Sequence, residues 1–262
     1  MLNQRLIGVV TVKDGWAVQS FGYSRWLPMG KPECVVENLD RWGADEILIL
    51  CLDRSRRRLG PDFATLERLK RLNLATPLIY GGGIRSAEDG VAVVHLGADR
   101  VCVDALLRDD LSAVHRLSRQ LGAQAVMAAL PLSVTNGTLT WRDYRRATDT
   151  ALDPAVLAAL NDGTVSEAVL IDWRHEGSPA AFDPAIVDLF PVHGRQIIAF
   201  GGLSEPAQLA RLFALPSVTA AGVGNFLSYR EHAIQALKAG LPGLPLRPAA
   251  YPQSARSCPE PA

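Results

Sequence analysis

Two glycine-rich stretches, YGGGIRSAED (80–89) and FGGLSEP (200–206), have the residue types and spacing to bind an anion. Each follows a short apolar run and leads into a helical pattern. Glycines let the backbone approach an anion closely, and the following helix offers unpaired N–H groups and the positive end of its dipole. One such turn could serve packing alone. Two of them, on opposite sides of one mouth, suit a ligand with a phosphate at each end. Asp14, Asp53 and Asp172 stand near strand ends and could move protons, but their spacing does not separate them from ordinary turn carboxylates. His175 in WRHEG is either a base or an incidental loop residue. The arginine run DRSRRRLG (53–60) either covers an anionic ligand or is a solvated loop.

These groups need a frame, and the hydrophobic pattern supplies one. Strand-like runs fall at 6–12, 46–52, 77–81, 100–104, 125–130, 167–172, 196–201 and 219–224. Amphipathic helical patterns at 34–43, 62–73, 86–97 and 111–122 lie between them, several ending in Gly. Eight strands, each followed by a helix, predict a closed (β/α)₈ barrel rather than an open sheet. The order GADEILIL, YGGGIRSAED, GADRVCVD recurs as VSEAVLID, FGGLSEPAQ, VTAAGVGN about 120 residues later, the mark of a duplicated half-barrel. The barrel is expected over residues 1–240. Residues 241–262, rich in Pro, Ser and Ala without periodicity, read as a poorly ordered tail.

Composition narrows the function classes. Lys plus Arg equals Asp plus Glu at 27 each, so no global field would recruit nucleic acid or an acidic membrane. No run approaches a membrane span, and the first apolar stretch is too short for a signal peptide, which predicts a cytoplasmic protein. The four cysteines form no CxxC pair and no metal-type spacing with the five histidines, so neither a metal nor a cofactor is expected.

The strings IGVVTVKDG, GADEILIL, GGGIRSAEDG, LGADRVCV, LGAQAV, FGG and GNFLSYREH, in this order, resemble the cyclase subunit of imidazole glycerol phosphate synthase over about residues 1–235. The resemblance implies ammonia delivered through the barrel from a glutaminase at the N-terminal face, and a bis-phosphorylated substrate at the C-terminal face. It assigns one phosphate site to Gly83, Asp104 and Ala105, and the other to Gly177, Gly202, Gly224 and Asn225. Asp104 and Ala105 stand where the family usually has Asn and Thr, and a carboxylate facing a phosphate is electrostatically unfavourable. The family's paired catalytic aspartates fall here on Thr11 and Pro131, which cannot transfer protons at neutral pH, and its lysine after the first strand falls on Gln19. Asp14 and Asp172 remain as substitute candidates. At the opposite face the family's ammonia gate falls on Arg5, Glu46, Arg100 and Glu167, with Asp99 toward the glutaminase. The alternative for these four is ordinary strand-start charges. Trp16, Tyr23 and Trp26 fall in the long loop that in the family forms a lid.

Loss of the acid/base pair beside a retained gate resembles the cyclase-like branch associated with surface-polysaccharide amidation. IGVVTVKDGWAVQS and AGVGNFLSYREHAIQALK are closer to that branch. The resemblance thus implies a barrel subunit passing ammonia to the amidation of a phosphorylated small molecule or sugar. The alternatives are a working cyclase of histidine biosynthesis and a non-catalytic barrel that binds and activates a glutaminase.

Overall fold

The computed structural model describes residues 4–248. Twelve strands follow in chain order: β1 (Arg5–Lys13), β2 (Trp16–Phe21), β3 (Arg25–Gly30), β4 (Glu46–Cys51), β5 (Leu78–Gly81), β6 (Arg100–Val103), β7 (Val126–Thr135), β8 (Thr138–Asp143), β9 (Thr148–Thr150), β10 (Glu167–Asp172), β11 (Gln196–Phe200) and β12 (Val218–Val223). β1, β4, β5, β6, β7, β10, β11 and β12 pair in parallel, and β12 returns to β1 with Leu6 opposite Ala221. The sheet therefore closes on itself as the (β/α)₈ barrel, with the eight expected runs as its staves. Closure leaves none of the eight staves with an unpaired edge.

Strand alternation sorts the apolar side chains into two cores. Ile7, Leu48, Ile79, Met127, Val169 and Ile198 fill the interior, while Leu6, Ile47, Leu78 and Val101 face the surrounding helices. The helices start where the sequence caps them. Ser86 accepts from the Asp89 N–H ahead of Ala87–His95, and Asp110 accepts from the Ala113 N–H ahead of Leu111–Leu121.

The duplication is visible in the backbone. Gly82 and Gly201 have φ of +109° and +104°, and a Cβ on either would collide with the carbonyl oxygen of the preceding stave, that of Cys51 or of Asp172. Only glycine suits both conformation and space there. The repeat also extends to two hairpins. β1 and β7 run past the rim and turn back antiparallel into β2 and β8 through Asp14–Gly15 (φ +50°, +77°) and Asn136–Gly137 (φ +50°, +72°). These are two-residue turns of the type that demands positive φ at both positions.

Three expectations change here. The segment after the first strand, expected as a long loop, is the hairpin β2–β3: WAVQSF turns back against β1 and buries Ala17, Val18 and Ser20. The arginine run begins as a short helix, Leu52–Arg56. The fifth stave is followed by β8 and β9 before its helix, Pro154–Asn161. From 241 onward, Leu241 is buried, Leu244 and Leu246 pack on the core, and Lys238 Nζ donates to the Arg247 carbonyl at 3.0 Å. The rest of the expected tail, 249–262, lies outside the described residues.

Candidate functional site

At the base of the barrel, Arg5, Glu46, Arg100 and Glu167 are the first residues of β1, β4, β6 and β10. The shared parity turns all four side chains toward the axis, where they close a ring. Arg5 bonds Glu46 at 3.1 Å and also Glu167, while Arg100 bonds Glu46 at 3.4 Å and Glu167 at 2.6 Å. Thr219 adds a hydroxyl donor to Glu167 at 3.1 Å. Burial raises Glu46, and its two arginines reverse this only in part. Burial pushes Glu167 up as well, but hydrogen bonds and charge from Arg5 and Arg100 prevail and hold it below the usual carboxylate range. Two cations and two anions satisfy one another at a site where a lone charge would be costly. The GAD sequences beside the ring do matching work. Asp45 accepts from the Leu6 N–H and Asp99 from the Leu78 N–H, each at 2.7 Å.

Above the ring the interior is apolar until the C-terminal mouth, where a cavity of about 460 Å³ opens. Leu50, Gly81, Cys102, Ala129 and Ile171 form its lower lining, as the inward residues at the stave ends. Lys13, Trp26, Arg56 and Arg57 line one side, and Asp104 and Tyr144 another. Lys13 Nζ sits 4.7 Å from the Trp26 ring centre and 2.7 Å from Asp14. Arg57 bonds both Asp14 and, at 3.2 Å, the buried Asp53.

Of the residues singled out for chemistry, Thr11 is buried and donates its hydroxyl to the Val18 carbonyl of the hairpin. Pro131, opposite Ile171, lines the cavity with no proton to give. Asp14 lies on the exposed rim, where hydrogen bonds first from Lys13 and then from Arg57 lower it below the usual carboxylate range. Asp172 has the outward parity at the end of β10 and does not line the cavity. It accepts from His175 Nδ1 at 2.7 Å and from the Asp183 N–H at 2.8 Å, and burial raises it.

The two glycine loops are both occupied by the protein's own groups. In the first, the Gly83 N–H donates to Ser55 Oγ at 3.1 Å, and Ser55 Oγ donates to Asp104 at 3.3 Å. Tyr144 donates its phenol to the same carboxylate, which burial raises. Ala105 starts the short helix Ala105–Asp109. In the second, the tip of β2 packs down on the loops of β10 and β12. Asn225 Nδ2 donates to the Ser20 carbonyl at 2.6 Å, and the Ser20 N–H donates to Asn225 Oδ1 at 3.1 Å. A Cβ on Gly177 would strike the Ser20 carbonyl oxygen, and one on Gly202 would lie 2.8 Å from the Phe182 nitrogen. Gly224 lies beside the Phe200 ring. None of Gly177, Gly202, Gly224 and Asn225 lines the cavity. Glu176 completes the hold on the hairpin. Its carboxylate accepts from Ser20 Oγ at 3.0 Å and from the Tyr23 N–H at 3.3 Å, and burial pushes it up to about 6. Ser55, Tyr144 and Glu176 escape sequence reasoning, because single polar residues in short helical turns and loops carry no periodic signal.

The architecture is that of a duplicated (β/α)₈ barrel with an ion-paired ring at its N-terminal end and, at the other, a cavity with an apolar floor and a charged rim. The chain belongs to the family described as histidine biosynthesis protein, whose model matches residues 5–233. It is 29% identical over 255 residues to the imidazole glycerol phosphate synthase subunit HisF of Solibacter usitatus, covering 94% of this chain and 99% of that protein. The HisF of Cytophaga hutchinsonii is 26% identical over 93% of this chain and 97% of its own. A putative imidazole glycerol phosphate synthase subunit hisF2 of Pseudomonas aeruginosa is 26% identical over 88% of this chain and 94% of its own. Among the described residues no group of His, Cys, Asp and Glu could hold a metal, and no helix is long and apolar enough to cross a membrane.

Proposed function

We propose that this chain is the cyclase-like barrel subunit of a glutamine amidotransferase, receiving ammonia from a glutaminase docked at the N-terminal face and passing it to a reaction at the C-terminal mouth. The carrying observation is the contrast between a complete charged ring at the base and a mouth without the paired carboxylates. Thr11 has its hydroxyl committed to Val18, and Pro131 has no acidic proton. Ring closure to an imidazole needs one group to give a proton and another to accept one, and these positions supply neither. The retained ring and apolar interior suit a small neutral molecule such as ammonia. The acceptor is then a sugar amidated in surface-polysaccharide biosynthesis, in line with the likeness to the branch that also lacks the first carboxylate.

The test is ammonia-dependent consumption of the bis-phosphorylated histidine-pathway substrate by the purified chain, with the Thr11→Asp/Pro131→Asp double variant alongside. The same preparation is assayed for stimulation of a glutaminase encoded nearby. No consumption together with stimulated glutamine hydrolysis is the expected result. Turnover by the unaltered chain would overturn the reading in favour of a working cyclase. Stimulation with no ammonia acceptor among candidate sugars would instead leave a barrel that only activates its glutaminase.

A further inference from the structure

We infer that the cavity at the C-terminal mouth binds a carbohydrate bearing one anionic group, with the anion at Arg56 and the hydroxyl-rich part against Asp104 and Tyr144. The inference rests on the proposed function only in taking this mouth as the reacting end of the barrel.

Both places where a bis-phosphate would be held are already filled. In the first half, the Gly83 N–H is engaged by Ser55, and the next group outward is the Asp104 carboxylate. A phosphate there would meet a carboxylate and lose the loop donor. In the second half, the tip of β2 sits between Gly177 and Asn225, and the Asn225 amide is used at both its oxygen and its nitrogen. An anion there would have to displace the hairpin.

The cavity that remains has a mostly apolar lining, and its charged and polar groups are placed asymmetrically. On one side stand Lys13, Arg56 and Arg57. Lys13 and Arg57 share Asp14, and Arg57 also holds Asp53. Arg56 has no ion-pair partner among the described residues, so this side carries one uncompensated cation. On the other side, Asp104 and Tyr144 offer a carboxyl and a phenol, groups suited to sugar hydroxyls rather than to a second anion. Tyr23 Oη is buried at the same cavity with no hydrogen-bond partner among the described residues. A buried hydroxyl without a partner is uncommon, and a ligand hydroxyl would satisfy it. The volume of about 460 Å³ is that of a small-molecule site.

Calorimetric titration of the full-length chain with glucose monophosphate, fructose bisphosphate and glucose tests this directly. Glucose monophosphate is expected to bind about tenfold or more tighter than either of the others, a difference of about 1.4 kcal/mol. Arg56→Ala should reduce that affinity to the level of free glucose. Asp104→Asn, which keeps the shape and removes the charge, should narrow the gap by improving bisphosphate binding. Tyr144→Phe serves if Asp104→Asn does not fold, and should weaken glucose and glucose monophosphate alike. Equal or tighter binding of the bisphosphate would overturn the inference, as would failure of the monophosphate to exceed glucose. Either failure leaves the glutaminase assay untouched, and a failed glutaminase assay leaves this binding order standing, so the two readings fall separately.

Discussion

At the N-terminal face, Arg5, Glu46, Arg100 and Glu167 direct their charges at one another, whereas at the C-terminal mouth Lys13 and Arg57 share their carboxylates and Arg56 has no ion-pair partner among the described residues. The ring stands at the first residues of four staves, and the mouth set at the end of β1 and in the helical turn after β4, so the fold holds both at the ends of the barrel. The difference is in partnership. A closed ring has nothing to offer an ion and behaves as part of the structure, while a surplus cation beside a cavity waits for a ligand. The position of charged residues on the barrel therefore says where chemistry can happen, and their pairing says whether it does.

The largest effect that can challenge this contrast is expected in the ring. Glu167→Ala leaves Arg5 and Arg100 with Glu46 as their one shared ring carboxylate, and it should cost about 3–5 kcal/mol in denaturant unfolding. A loss below about 1 kcal/mol would place the ring among solvated surface pairs. Next comes the hairpin plug in the second half. Asn225→Ala strips both partners from the Ser20 backbone and should cost about 1–3 kcal/mol. Amide hydrogen exchange should show the loss confined to β2 and β3, with β10 and β11 unchanged.

Glu176 makes the plug sensitive to pH. Its folded value of about 6 lies above the ordinary 4.5, so folding favours the protonated form. The stabilisation is full below about 4.5 and declines as pH rises through about 6, by on the order of 2 kcal/mol. Hairpin exchange measured from acid to neutral pH should follow that window, and Glu176→Gln should flatten it. Hairpin protection that rises with pH would show that its hydrogen bonds outweigh burial. The smallest effect is at the rim. Arg56→Ala should leave unfolding within about 0.5 kcal/mol of the unaltered chain, because no carboxylate depends on it among the described residues. A larger loss would make Arg56 structural and remove the difference between the two faces.

Much of this was legible in advance, and unevenly so. The eight staves and the duplication follow from local pattern, while the charges at the base come from the family resemblance. Strand parity sends Arg5 and Glu46 to the same side, and the repeat sends Glu167 after Glu46. The glycine loops were found as well, but their occupants were not. Ser55 and Asp104 are 49 positions apart, and Ser20 and Asn225 are 205 apart. No periodicity links such pairs. Asp172 shows the same limit. It stands at a stave end as expected, yet parity and the His175 contact turn it away from the cavity.

The barrel, its duplication and the glycine turns are written into short stretches of chain, because they depend on alternation of apolar residues and on φ values that few residues can adopt. The groups that fill those turns, the carboxylates that are neutralised and the mouth arginine without an ion-pair partner among the described residues were settled when the barrel closed. Those outcomes arise from contacts between residues distant in the chain, and their energies depend on burial and hydrogen-bond geometry that exist only once the barrel has closed.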